Sequence, residues 1–287
     1  MESKFNTDID IERENSQVLE QSVLKEVLSD FVKVDDPSIQ KRGVDYTGKL
    51  IGTTEICMID VKEASDYFSR PEKLQTFVLE LFNTNRIKNN ITNLGWGIKK
   101  TDTTHYLMIK PLERCDKVCK YFEAMLVDKN EYLELLNKYL EYMFKILYFP
   151  NKQSELQLRI DNIANGSDGR LSELNTTCSR LFVMADNWLS TIIDYGKSQF
   201  MPVGNLKLFY SGQLYEGPVN LVIPWQLLIE ASRAKGWYHK IIKVDNGSYS
   251  AVEYNEEIVK ESLGQEYLDD LHNRITGGYD ELWQSLL

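Results

Sequence analysis

Three charged residues between positions 45 and 62 have the types and the spacing for chemistry on a phosphate. Asp45 stands where one apolar segment begins, and Asp60-Val61-Lys62 ends the next. Side chains two positions apart on a strand point to the same face, so Asp60 and Lys62 should project together while Val61 packs into the core. If the two segments pair as strands through a turn at Gly52, Asp45 comes beside Asp60.

Such a group of side chains suits a divalent cation. Two converging carboxylates repel each other and resist ionising together unless a cation lies between them. A hard ion such as Mg²⁺ takes oxygen ligands and keeps waters for a phosphate substrate. A neighbouring lysine can hold or help to deprotonate an attacking water and offset charge in the transition state. Those parts together suit the hydrolysis of a phosphodiester.

The pattern of apolar residues predicts the elements that position this motif. Helical spacing predicts an amphipathic helix before Asp35-Asp36-Pro37, and Pro71 suits the first turn of a second helix. Short apolar runs separated by Gly52-Thr53-Thr54 predict a hairpin of strands that carries the motif. In chain order, the expected elements are a helix over 16–33, strands over 43–51 and 55–61, a helix over 71–82, an exposed loop over 83–93, and strands over 95–99 and 104–110.

Asp45, Asp60-Val61-Lys62 and the helix ahead of them resemble the PD-(D/E)xK nuclease superfamily, which includes many restriction endonucleases and DNA-repair nucleases. The resemblance covers roughly residues 16–111. It implies an α/β fold with a restriction-endonuclease-like mixed sheet flanked by helices, Asp45 and Asp60 as metal ligands, and Lys62 beside the attacking water. Two features depart from the family: Val44 stands where a proline is frequent, and the helix over 71–82 lacks the Gln-x-x-x-Tyr of one subgroup.

Accessory carboxylates are expected on the flanking helices. Many members of the superfamily add a glutamate from the first helix, and Glu26 or Glu20 could take that place here. Glu80, on the helix expected after the motif, could orient Lys62 or bind metal through water, although an ordinary surface carboxylate is the simpler interpretation. The alternative for the motif itself is a solvated strand end, where Asp60 and Lys62 form an exposed ion pair.

The charge distribution indicates which binding partners to expect. The net charge of −10 argues against a dedicated nucleic-acid coat or a protein that binds anionic membranes. The segment from Arg86 to Lys120 is locally basic, and its strands are expected in the same sheet as Asp60. Nucleic-acid binding is therefore expected from Arg86, Lys88, Lys99 and Lys100, against the alternative of solvated lysines in a turn.

The rest of the chain is expected to elaborate one α/β domain. Residues 1–15 form a polar lead-in, 16–114 the nuclease-like core, 115–200 a helical elaboration, and 201–287 a C-terminal α/β part packed on the core. Within that last part, strands are expected over 206–223, 238–244 and 248–254, with helices after Pro224 and from Glu256. Cys115 and Cys119 with His105 could suggest zinc, but their spacing is not that of a structural site, and buried thiols are the better interpretation.

These observations predict a divalent-metal-dependent nuclease that uses Mg²⁺ or Mn²⁺ and acts on DNA. The alternatives are a catalytically inactive nuclease fold that binds nucleic acid or a protein, and an interaction protein in which Asp60 and Lys62 are structural. A polar start, sparse cysteines and the lack of a long apolar run predict a soluble, cytoplasmic protein without membrane contact. The sequence does not distinguish DNA from RNA as the substrate. It also does not indicate which site is recognised or whether the chain forms a homodimer.

Overall fold

A computed structural model describes residues 22–63, 76–85, 90–112, 120–143, 151–192, 197–203, 205–212, 216–246 and 248–273. Within these residues the chain is a mixed α/β protein that divides into two compact units. The first unit draws on Met1–Leu74, Asp102–Lys129 and Ile229–Leu271, and the second on Gln75–Thr101, Asn130–Leu228 and His272–Leu287. Each unit combines separated segments of the chain, and the boundaries expected at 114 and 200 stay predictions. The lead-in 1–15, Glu20, Arg86, Lys88, Cys115 and Cys119 lie outside the described residues.

The elements are numbered in chain order. The strands are β1 Leu28–Lys33, β2 Tyr46–Leu50, β3 Ile56–Glu63, β4 Thr76–Asn85, β5 Asn90–Leu94, β6 His105–Pro111, β7 Tyr121–Asp128, β8 Gln199–Val203, β9 Leu206–Tyr210, β10 Glu216–Pro224, β11 Tyr238–Asp245 and β12 Ser248–Glu253. The helices are α1 Leu24–Val27, α2 Pro37–Gln40, α3 Lys129–Met143, α4 Gln153–Ala164, α5 Ser179–Thr191, α6 Trp225–Lys235, α7 Glu256–Leu263 and α8 Gln265–Asn273. Short 3₁₀ turns span Gly169–Leu171 and Thr176–Cys178.

In the part of the chain that the structure describes, each unit contains one sheet. The first unit holds a seven-stranded mixed sheet in the order β1-β2-β3-β6-β7-β11-β12. Its β3 and β6 run parallel, and every other neighbouring pair in it is antiparallel. The second unit holds a five-stranded antiparallel sheet in the order β5-β4-β10-β9-β8.

The two faces of the seven-stranded sheet carry different residues. On one face, which we call the helix face, Cys57, Ile59 and Leu107 pack with the apolar residues of α1. Strand alternation places Asp60 and Lys62 on the opposite face, which we call the Asp60 face. The parallel register sets Asp60 beside Tyr106 and Lys62 beside Met108, so these residues share that face.

The predicted hairpin is confirmed. Strands β2 and β3 pair antiparallel with Tyr46 opposite Ile59. Gly52 lies in the connection with a φ of 82°, which glycine adopts without steric cost. The predicted helix over 16–33 is wrong beyond Val27, because Leu28–Lys33 forms an edge strand paired with β2. Here pairing to the hairpin overrides a helical spacing of apolar residues, which is a weak local preference.

The predicted helix over 71–82 is wrong over the described residues 76–85, which form β4. This strand lies between β5 and β10, and most of its side chains are buried on both faces. A continuous run such as Thr76-Phe77-Val78-Leu79 satisfies helical and buried-strand patterns alike, so periodicity could not separate them. The expected loop over 83–93 is wrong at both ends, where β4 reaches Asn85 and β5 begins at Asn90.

The expected strand over 95–99 is a turn instead. The N–H groups of Ile98 and Lys99 both donate to the Gly95 carbonyl, and Lys99 makes only an isolated bridge to Leu174. Glycines at 95 and 97 let this turn lie against Glu80, because a Cβ at either position would clash with its backbone oxygen. The strand expected over 104–110 is confirmed as β6.

Over the described residues 120–143, the helical stretch expected from 115 begins at Lys129, because Tyr121–Asp128 is the buried strand β7. The strands expected in the C-terminal part are confirmed as β9 to β12, and α6 follows Pro224 as predicted. The closing helix from Glu256 is confirmed as α7 but ends at Gly264, whose φ of 89° separates it from α8. Among the described residues, no helix combines the length and the apolar character needed to cross a membrane.

Candidate active site on the seven-stranded sheet

Asp60 and Lys62 form a close ion pair on the Asp60 face. The Lys62 Nζ lies 2.7 Å from Asp60 Oδ1. The Asp60 side chain is 8% exposed and that of Lys62 is 23% exposed. The carboxylate is therefore nearly enclosed and the lysine side chain is only partly exposed. This differs from the exposed ion pair of a solvated strand end.

Asp45 reaches the same strand from the end of the hairpin. Its N–H donates to the Ile59 carbonyl at 2.8 Å, which ties the residue before β2 to β3. Its Oδ2 accepts a hydrogen bond of 2.8 Å from the N–H of Val61. The hydrogen bond fixes the carboxylate of Asp45 against the backbone between Asp60 and Lys62.

The pKa of the Asp60 carboxyl reflects its burial and the nearby carboxylate of Asp45. Burial raises the pKa of the Asp60 carboxyl to about 6, and the negative charge of Asp45 adds to the rise. Lys62 and Lys129 act in the opposite direction because their positive charges stabilise the carboxylate. A carboxyl that resists ionising beside a second carboxylate is a group that a bound cation would stabilise.

Two residues that the sequence did not single out lie on this face. Tyr106 stands beside Asp60 in the parallel register of β6. Lys129 is 3% exposed, and its Nζ lies 5.8 Å from the centre of the Tyr106 ring. Lys129 carries no clear signal in the sequence, because the largely apolar segment Phe122–Val127 before it suits a buried strand and a helix alike.

The structure does not bring the accessory glutamates to this pair. Glu26 is exposed on α1, which packs on the helix face, and its carboxylate accepts a hydrogen bond of 3.1 Å from the Tyr238 hydroxyl. Glu80 lies on β4 in the second unit, where its Oε1 accepts a hydrogen bond from Asn83. It is on a strand and not on the predicted helix after the motif.

The described basic residues of the expected nucleic-acid face lie elsewhere. Lys99 and Lys100 belong to the second unit and to no strand of the seven-stranded sheet, so the prediction that they share a sheet with Asp60 is wrong. The Lys99 Nζ lies 3.1 Å from Glu173 Oε2, which offsets its charge. Lys100 is exposed, and its N–H donates to the Glu173 carbonyl.

A buried polar network also lies on the Asp60 face. Lys110 and Glu123 are both fully buried, and their side chains are 3.2 Å apart. Glu123 also lies 2.7 Å from His239 Nε2, and Lys110 donates to the Tyr267 hydroxyl at 2.5 Å. Burial lowers the pKa of Lys110, while Glu123 opposes that change. The network is enclosed, so it belongs to the core and not to a substrate site.

The helix face carries a second group of metal-binding side chains. Glu55, Cys57 and His105 each place one candidate ligand atom within 4.8 Å of the other two. Asp128 lies next to this group, with its Oδ2 3.9 Å from His105 Nε2. Burial, Glu55 and Asp128 raise the pKa of the Cys57 thiol to about 11. The sequence does not suggest this group, because His105 lies close to Cys115 and Cys119 along the chain and far from Glu55 and Cys57.

No protein-family model, curated protein or solved structure matches this chain.

Proposed function

We propose that this protein is a divalent-metal-dependent nuclease that hydrolyses phosphodiester bonds in DNA. The observation that carries the proposal is the convergence of Asp45, Asp60 and Lys62 where β2 and β3 meet, with Asp60 enclosed and Lys62 partly exposed. The strand hairpin and the short helix before it are consistent with the resemblance to the PD-(D/E)xK superfamily. The strand at 76–85 is a departure, because a helix was expected there.

The donor set fits Mg²⁺ or Mn²⁺. Both acidic residues offer hard carboxylate oxygens, and a carboxylate has two oxygens, so Asp60 can keep Lys62 on Oδ1 and turn the other toward a cation. When bound, the ion supplies Lewis-acid stabilisation of the negative charge on the phosphate. Asp45 contributes a carboxylate whose direction is fixed by the Val61 N–H.

Lys62 has the position for a role in the reaction. Its ammonium is held by Asp60 and partly exposed, so it can orient a water molecule at the phosphate and offset negative charge that develops in the transition state. Lys129 is more deeply buried, and its charge helps to keep Asp60 ionised. We therefore assign Lys129 a positioning role, through Asp60, and not contact with the substrate.

The test is a cleavage assay with the full-length chain. Purified protein is incubated with plasmid, linear duplex and single-stranded DNA, and with RNA, in Mg²⁺ or Mn²⁺ against EDTA. We expect metal-dependent cleavage that Asp60→Asn and Asp45→Asn abolish. Asp161→Asn, an exposed aspartate on α4, is the matched control and should cleave normally.

The second candidate is a catalytically inactive nuclease fold that binds nucleic acid or a protein. The direct ion pair between Lys62 and Asp60 favours it, since that pair already offsets one carboxylate charge without a metal. Binding of DNA without cleavage in either metal would support this alternative. Cleavage that is retained by Asp60→Asn would contradict the proposed site.

A further inference from the structure

We propose that Glu55, Cys57 and His105, with Asp128 beside them, form a second metal site that selects Zn²⁺. The site lies on the helix face, whereas Asp60 and Lys62 lie on the Asp60 face of the same sheet. Residues of β3 alternate between faces, so Cys57 and Asp60 point in opposite directions. The inference therefore does not depend on the nuclease proposal.

The sheet itself brings the ligands together. Cys57 lies on β3 with Glu55 just before it, so alternation sets the two side chains on the same face. The parallel register places His105 beside Ile59, and the antiparallel register places Asp128 opposite His105. The four residues thus come from β3 and the residue before it, from β6 and from β7, and they converge on one end of the sheet.

The ligand types indicate which metal fits. Zinc binds thiolate, imidazole and carboxylate together, whereas Mg²⁺ and Ca²⁺ prefer oxygen ligands alone. Zinc bonds of about 2.0–2.3 Å place tetrahedral ligand atoms roughly 3.5 Å apart. The observed limit of 4.8 Å requires the group to close by about 1 Å. The exposed side chain of Glu55 can make most of that movement.

The surroundings of His105 and Cys57 suit metal binding. The Thr104 hydroxyl lies 2.9 Å from His105 Nδ1, which is the second hydrogen bond that metal-binding histidines usually make, and Nε2 faces Asp128. Cys57 and His105 are buried, while Glu55 is exposed and Asp128 is partly exposed. The site is therefore buried at the thiol and imidazole and reaches solvent at the two carboxylates.

The test uses Co²⁺ as a spectroscopic probe for zinc. Reduced, metal-stripped full-length protein is titrated with Co²⁺, and we expect a thiolate-to-cobalt charge-transfer band that saturates at one ion per chain and is removed by Zn²⁺. Cys57→Ser should abolish the band. Glu55→Gln, which changes an exposed side chain and so will fold, should weaken Co²⁺ binding by at least about tenfold, as should His105→Gln.

The controls separate this site from the other cysteines and from the nuclease proposal. Cys178→Ser, a buried cysteine of the second unit, should leave the band unchanged, as should the Cys115→Ser/Cys119→Ser double variant. Asp60→Asn should also keep the band, whatever it does to cleavage. A band that survives Cys57→Ser, or Co²⁺ affinity that is unchanged by both Glu55→Gln and His105→Gln, would overturn the assignment.

Discussion

The Nζ of Lys62 lies 2.7 Å from Oδ1 of Asp60, two residues earlier on the same strand. Neighbouring strands hold both side chains on the Asp60 face, so the pair is set by the sheet and not by a mobile loop. The enclosed carboxylate gains a counter-charge, while the exposed part of the ammonium remains accessible to water. This asymmetry makes Lys62 the residue whose loss should separate activity from folding.

Lys62→Ala should leave the fold nearly intact and abolish cleavage. The Lys62 side chain is 23% exposed, so the variant loses the packing of its stem and Asp60 loses its closest counter-charge, but the pairing of β3 with β2 and β6 does not depend on this side chain. Removal of a charge that stabilises the transition state costs roughly 100-fold or more in rate. Single-turnover cleavage and thermal unfolding measure the two effects. Lys33→Ala, on the edge strand β1, is the matched control, and equal cleavage by both variants would exclude a catalytic role for Lys62.

Asp60→Asn should change how stability depends on pH in the metal-free protein. The folded pKa of about 6 lies above the ordinary 3.8, so the folded state keeps this proton longer than the unfolded state does. The stability it contributes is present below pH 3.8 and is lost as pH rises to about 6. Two pKa units correspond to about 3 kcal/mol. In urea unfolding, the variant should match the wild type near pH 4 and be more stable at pH 8.

Metal should reverse that difference in stability. Mn²⁺ at millimolar concentration should raise the melting temperature of the wild type, because the ion binds the folded state in preference to the unfolded one. Asp60→Asn should lose this gain, and Asp161→Asn should keep it. An unchanged wild-type melting curve would count against a metal site at Asp45 and Asp60. Zinc-type ligands also lie on the helix face. The same measurement in Cys57→Ser therefore distinguishes Mn²⁺ binding at Asp45 and Asp60 from Mn²⁺ binding at the group of Glu55, Cys57 and His105.

The sequence predicted the part of the site that local patterns determine. Alternation in Ile56–Val61 and the Gly52 turn were enough to place Asp45 against β3. Contacts between segments that are far apart in the sequence do not produce a local pattern of this kind. The parallel pairing of β3 with β6 brings His105 to Cys57 across more than forty residues of chain. Lys129 was missed because β7 is buried along its length, and a continuous apolar run does not distinguish a strand from a helix.

Lys110→Met should destabilise the protein more than a surface change would. It leaves Glu123 charged in a fully buried position, and breaking a buried pair in this way typically costs about 3–5 kcal/mol. The double variant Lys110→Met/Glu123→Gln should recover at least about half of that loss, since the glutamine is neutral and can still bond to His239. Urea unfolding of both variants gives the comparison. A double variant no more stable than the single one would show that the ion pair is not the source of the cost.

Lys129→Met should raise the pKa of Asp60 further. Its buried ammonium is one of the two positive charges that lower this pKa, and methionine keeps a similar length without the charge. The side-chain carboxyl carbon of Asp60, followed by NMR in metal-free protein, should titrate at higher pH in the variant. Lys138→Met, which changes an exposed residue of α3, should leave the titration unchanged. An equal pKa in Lys129→Met and the wild type would remove Lys129 from the site.

A net charge of −10 would repel DNA unless basic groups gather where it binds. Reversal to glutamate at Arg86, Lys88, Lys99 and Lys100 together should weaken DNA binding and flatten its salt dependence, because fewer counterions are released. Since Glu173 already offsets Lys99, the exposed Lys100 should account for more of the loss when each is reversed alone. Reversal at Lys138 and Lys152, which are exposed in the second unit, is the matched control. Fluorescence anisotropy across a salt series measures both quantities, and an unchanged affinity and slope after the fourfold reversal would exclude this segment from the DNA-binding surface.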